Sequence, residues 1–128
     1  MLGLTFRPSA HPEQPTLWRT AMLPIPGSKP IIVALSSDKQ GCSALAAAML
    51  CMGEDELEIG MIDDFLRELL NMTAGQLKRD LALNQQALGL PKIFDGETAF
   101  ATKPADWSHY VLDANSIRLV VSLAAGVF

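Results

Sequence analysis

Cysteine, histidine, charge and unbroken apolar sequence are all scarce in this chain of 128 residues, and each scarcity removes a class of protein. The two cysteines, Cys42 and Cys51, stand nine positions apart in what reads as one helix. Nine positions are about 900° of rotation, so the thiols lie on opposite faces and no disulfide framework is expected. Two lone thiols suit a reducing cytosol, and the expected location is cytoplasmic. His11 and His109 have no ligand spacing around them, so no metal or other cofactor of the chain's own is expected. The longest apolar stretch, from Cys42 to Met52, is interrupted by Ser43 and reaches only about half of the ~20 residues that a membrane span needs. The first ten residues lack a basic flank leading into a long apolar run, so no secretory signal and no membrane association are expected.

Charge and size narrow the field further. Fourteen acidic against ten basic side chains give a net charge of −4, which argues against a nucleic-acid partner. Charged residues are 19% of the chain, below the roughly 25% of an ordinary soluble domain. Hydrophobic residues reach 49%. The length fits one domain, taken as 1–128, that buries roughly two thirds of its unfolded surface. Such apolar richness in a small chain implies either an unusually dense core or apolar surface covered by something else.

Six of the eight prolines fall within the first thirty residues, so no long helix fits there, and residues 1–16 read as an irregular segment. Leu17 to Leu23 can form a short strand, 24–30 is turn chemistry, and Ile31 to Leu35 is a β-branched run typical of a second strand. Ser36-Ser37-Asp38 is an N-cap cluster opening a helix that runs to about Met52 and stops at Gly53. A longer helix spans about Met61 to Leu83, with Ile62, Phe65, Leu66, Leu69, Leu70, Thr73 and Leu77 on one face. Leu90 to Gly96 reads as a short extended segment and 97–106 as a loop. A final hairpin pairs Ser108–Leu112 with Ser116–Leu123 through a turn at Asp113-Ala114-Asn115. In its second strand Ile117, Leu119, Val121 and Leu123 share one face. The expected fold is α/β of the α+β kind, with two main helices and four or five strands in a mostly antiparallel sheet.

The long helix also carries a polar row. With Asp64 at zero on the helical wheel, Glu68 falls at about +40°, Asn71 at about −20°, Gly75 at about +20° and Lys78 at about −40°. The apolar face is centred near 160°, almost opposite. A plain solvated face explains most such rows. Gly75 counts against that account, because a mid-helix glycine costs about 1 kcal/mol relative to alanine. Something that approaches this face closely would give it a reason.

The run Asp64-Phe65-Leu66-Arg67-Glu68-Leu69-Leu70-Asn71-Met72-Thr73-Ala74-Gly75-Gln76-Leu77 resembles the signature helix of the CheX/CheC/FliY chemotaxis phosphatases. That signature is Asp or Ser, three residues, Glu, two residues, Asn, and a Pro some twenty residues later. Asp64, Glu68, Asn71 and Pro91 match it in order, and one copy points to the CheX type. The likeness covers roughly residues 28–125. It implies a CheX-like domain that hydrolyses the aspartyl-phosphate of a CheY-like response regulator receiver in chemotaxis or another two-component pathway. The Mg²⁺ of that reaction belongs to the receiver. Asn71 is implied to hold the attacking water, and Glu68 to pair with the receiver's active-site lysine. Asp64, Gly75, Lys78 and Pro91 would support docking.

The chain departs from the family in three places. Only Met1-Leu2-Gly3-Leu4 resembles the end of the usual N-terminal helix, which is therefore expected to be absent. The interval from Asn71 to Pro91 is shortened, and the bulky Leu70 stands where a small residue is common. An interaction module without turnover is the alternative function. An incidental Glu-x-x-Asn would instead predict a different fold, with this side of the helix buried. A missing covering helix would expose apolar side chains, so a homodimer is expected through a sheet edge or through the uncovered face.

Overall fold

The central strands are apolar on both sides because both sides of the sheet are covered. A computed structural model describes residues 7–8, 17–27, 29–82, 86–95, 107–114 and 117–125. Its elements in order are β1 (Arg7–Pro8), β2 (Arg19–Ile25), β3 (Ile31–Ser37), α1 (Lys39–Leu50), α2 (Ile59–Asp80), β4 (Lys92–Asp95), β5 (Ser108–Ala114) and β6 (Ile117–Ala125). One antiparallel sheet takes the order β1-β5-β6-β3-β2-β4. This is the α+β arrangement expected, with one strand more, because two residues of the proline-rich segment pair with β5 at the edge. The expected loop at 97–106 and the start of the chain through Leu4 lie outside the described residues.

Both helices lie on the same side of the sheet, α2 over β2 and β3 and α1 over β6 and β3. On that side Ala21, Leu23, Ile25, Val33, Leu35, Ile117 and Leu119 meet Cys42, Leu45 and the apolar arc of α2 in the main core. The opposite side holds Met22, Ile32 and Ala34, fully buried, with Phe94 and Trp107 against them. Val120 and Ser122 are also buried, although alternation along β6 puts them away from the helices. The sheet is therefore buried on two sides, which is why Ile31 to Leu35 reads as a continuous apolar run rather than an alternating one.

Several boundaries differ from the sequence reading, each for a local reason. Strand β2 runs two residues further, through Pro24. Its neighbour β4 pairs only as far as Met22, so the missing N–H of Pro24 interrupts no ladder there, and its carbonyl accepts from the Gly89 N–H at 2.7 Å. Helix α1 is capped by Asp38, whose carboxylate accepts from the Gly41 N–H at 2.6 Å. It ends at Cys51, in the left-handed region at φ 54°, two residues before the expected stop at Gly53. Helix α2 begins two residues earlier and ends three residues earlier than expected. Asp113 and Ala114 belong to β5 rather than to a turn, and Ala114 pairs with Ile117.

Cys42 is buried and Cys51 exposed, and both are free thiols. Burial, helped by the nearby Asp38 carboxylate, pushes the Cys42 thiol up to about 12. It is a packing residue with no reactive thiolate at neutral pH.

Candidate functional site

Helix α2 is fixed to the sheet along one arc, and that arc decides what the rest of it can offer. Ile62, Phe65, Leu66, Leu69, Leu70 and Ala74 are buried. Thr73 and Leu77, expected on the same face, are half-buried, and the Thr73 hydroxyl donates to the Leu69 carbonyl at 2.9 Å. Leu70 is fully buried, so its bulk does not reach the polar row. The first turns are tied down by Arg19 of β2. Its Nε lies 3.3 Å from Asp63 Oδ1, its Nη1 pairs with Asp95 of β4, and its guanidinium stacks over Trp18 at 4.9 Å. Sequence reading missed this clamp, since nothing in one dimension links residues 19, 63 and 95.

The row itself stands opposite. Asp64, Glu68 and Asn71 are exposed, while Gly75 and Lys78 are half-buried. The structure therefore brings five of the six candidate residues onto one strip of one helix. Pro91 is elsewhere, half-buried immediately before β4. The burial of this strip demanded by an incidental Glu-x-x-Asn is not found.

Hydrogen bonding separates the row from its surroundings. Asp64 is paired with Arg67, three residues on, at 2.8 Å. Gln76 donates to Asp80 at 3.0 Å, and Arg79 donates to Gln76 at 2.8 Å. Among the described residues, Glu68, Asn71 and Lys78 have no side-chain hydrogen bond and no ion pair. An exposed helix ordinarily satisfies such groups through neighbours three or four positions away. Here the groups flanking the row are paired within the helix, and three groups of the row are left to solvent or to a partner. A β-carbon added to Gly75 would meet nothing within 4 Å, so no packing inside the domain requires glycine there.

Beside the second half of the row runs a trough of about 920 Å³, between α2 and the helix-facing side of β5 and β6. Asn71, Met72 and Gln76 form its helix wall, and Leu112, Val121 and Leu123 line its sheet side. Tyr110, at 53% exposure, lines it as well. Among the described residues, no helix or strand lies over this apolar trough. Its position next to Asn71 could not be read from sequence, because it depends on β5 lying beyond the reach of both helices.

An exposed carboxylate, an exposed amide and a half-buried lysine do not make a self-sufficient catalytic centre. Among the described residues no three His, Cys, Asp or Glu side chains cluster as metal ligands. No nucleophile is paired with a base in the row. What the arrangement can do is orient a water and grip polar groups on another surface.

With two helices on one side of an antiparallel sheet and a bare Glu-x-x-Asn row on the outside of the longer one, the chain has the build of the phosphatase class whose signature it carries. The sequence profile of that class, chemotaxis phosphatase CheX, matches residues 19–115, and the chain belongs to the CheX family. No curated protein matches the chain in sequence. Among solved structures, the chain is similar to a chemotaxis protein CheX from Desulfovibrio desulfuricans, with a TM-score of 0.74, 19% identity, and coverage of 98% of this chain and 89% of that one. It is also similar to CheX from Vibrio vulnificus, with a TM-score of 0.74, 14% identity, and coverage of 98% and 86%. A third likeness is to the CheX–CheY–BeF3–Mg²⁺ complex from Borrelia burgdorferi, with a TM-score of 0.72, 14% identity, and coverage of 96% and 82%. At these identities the likenesses establish the fold.

Proposed function

We propose that this chain docks on a CheY-like receiver and hydrolyses its aspartyl-phosphate. The observation that carries the reading is the pair Glu68 and Asn71, exposed about one helical turn apart and without any partner of their own. Membership of the family and the structural likeness to a CheX solved with CheY support a receiver as the partner.

The chemistry asks little of the chain beyond position. Water attacks phosphorus in line, the bond between phosphorus and the aspartyl oxygen breaks, and the products are inorganic phosphate and a free carboxylate. The leaving group is already good, so the gain comes from orienting the water and from electrostatics. The Asn71 amide would hold that water through its carbonyl oxygen, which accepts a hydrogen bond, while its NH₂ group can donate. Glu68 would meet the receiver's lysine and set the docking register. Asp64, already neutralised by Arg67, would support this surface, and Gly75 would let the partner's backbone come close. Pro91 would support docking from the loop ahead of β4. As the family resemblance implies, the Mg²⁺ of the reaction would belong to the receiver.

Purified protein should therefore speed phosphate loss from a phosphorylated receiver of its organism. Asn71→Ala should lower that rate by about a hundredfold, the order expected when a reacting group is misplaced, without changing the melting temperature. Equal inactivity of wild type and Asn71→Ala on every receiver would leave an interaction module. The second part of the reading is a homodimer through the Tyr110–Leu112 face, and what supports it is that Leu112, Val121 and Leu123 present apolar side chains to the trough. Light scattering should return twice the 13.8 kDa chain mass, and a clean monomer would refute the dimer.

A further inference from the structure

The row has a charge order that says more than the general docking support assigned to Lys78. Beyond Asp64, which is paired with Arg67, Glu68 and Lys78 stand on either side of Asn71 and Gly75, and neither charge has a counter-ion among the described residues. The sequence itself withholds one. The positions three and four away from Lys78 are Ala74, Gly75, Leu81 and Ala82. Those around Glu68 are Asp64, Phe65, Asn71 and Met72. Nor can the two charges serve each other. Ten residues of helix separate them by about 15 Å, beyond the ~8 Å over which physiological salt screens exposed charges. A lysine in the last turn also complements the helix dipole, but Arg79 does this already while bonded to Gln76.

We infer that Lys78 is the second electrostatic anchor of the docked receiver, which must present a carboxylate on the far side of Asn71 from the cation that meets Glu68, on the order of 15 Å along the helix axis. Two unlike charges on either side of Asn71 fix the rotation of the partner about the point of attack. One charge alone would leave that rotation free. The order of acid, amide and cation thereby discriminates among receivers of one organism according to whether they carry an acidic side chain at that distance. This inference rests on the docking reading above and assigns Lys78 no part in the chemical step.

The test compares wild type, Lys78→Gln and Lys78→Glu for affinity to each receiver of the organism, activated with beryllofluoride and Mg²⁺, and for turnover of the same receivers phosphorylated with acetyl phosphate. For the cognate receiver, the dissociation constant should rise about threefold with Lys78→Gln and about tenfold or more with Lys78→Glu. The turnover rate at saturation should stay within about twofold, and the salt dependence of binding should flatten. Reversing the matching receiver carboxylate to lysine should restore binding to Lys78→Glu. A helix-dipole role alone would lower the melting temperature of both variants and leave affinity unchanged, and that result overturns the inference. If Asn71→Ala loses turnover while Lys78→Glu binds like wild type, only the Lys78 assignment falls. Should no receiver bind the wild type, this assignment and the docking reading fall together.

Discussion

The two helices lie side by side on one sheet, yet they are built to different standards. Helix α1 opens on a side-chain cap from Asp38, is rich in alanine, and places its glycine where nothing larger fits. Helix α2 opens at Glu58 with no side-chain cap, carries unpaired charges along its outer strip, and holds a glycine in open space. Such concessions in the longer helix, the one that anchors the most buried side chains to the sheet, imply that its outer surface answers to something other than the stability of this domain. Structure selected for function commonly departs from local optimality in this way.

The strongest way to break that contrast is the glycine of α1. A β-carbon at Gly41 would come within 2.0 Å of the Ser37 hydroxyl oxygen, which donates to the Arg118 carbonyl at 2.5 Å and ties the end of β3 to β6. Gly41→Ala must displace that buried hydroxyl, and the expected loss is about 2–3 kcal/mol in urea unfolding. A neutral result would mean that α1 is no more tightly specified than α2.

The caps give the next largest difference. Asp38→Ala should cost about 1 kcal/mol, because the Gly41 N–H loses its acceptor. Glu58→Ala at the equivalent position of α2 should change stability by less than about 0.3 kcal/mol, because that side chain makes no cap bond. Thermal melts of the two variants side by side would show whether the asymmetry between the helices is energetic or only geometric.

The same contrast explains what sequence could and could not show. The polar row was legible because helical periodicity alone places Asp64, Glu68, Asn71, Gly75 and Lys78 on one strip. The hairpins were legible because β-branched runs are bounded by turn residues. The second buried side of the sheet was not. Val120 and Ser122 look like outward positions in an alternating strand, and only the placement of β6 beside β3 in the middle of the sheet shows that both its sides are used. Arg19 reads as an ordinary charged residue at the start of a strand until the fold brings Asp63 and Asp95 to it. That two-sided sheet accounts for the apolar side chains on both faces of its central strands.

Gly75 is where the contrast becomes a measurement of two quantities at once. Alanine at this position meets no atom within 4 Å and removes a helix-breaking residue from the middle of α2. Stability should rise by about 0.5–1 kcal/mol, opposite in sign to Gly41→Ala. A methyl group here would stand on the strip between Asn71 and Lys78, where the proposed docking would bring a receiver closest. Receiver affinity should fall severalfold even as the domain becomes more stable. Wild-type affinity in a stabilised Gly75→Ala protein would show that the glycine serves no docking surface, and the unpaired strip would then be ordinary solvated helix. Loss of stability instead would place a steric demand inside the domain that its packing does not show.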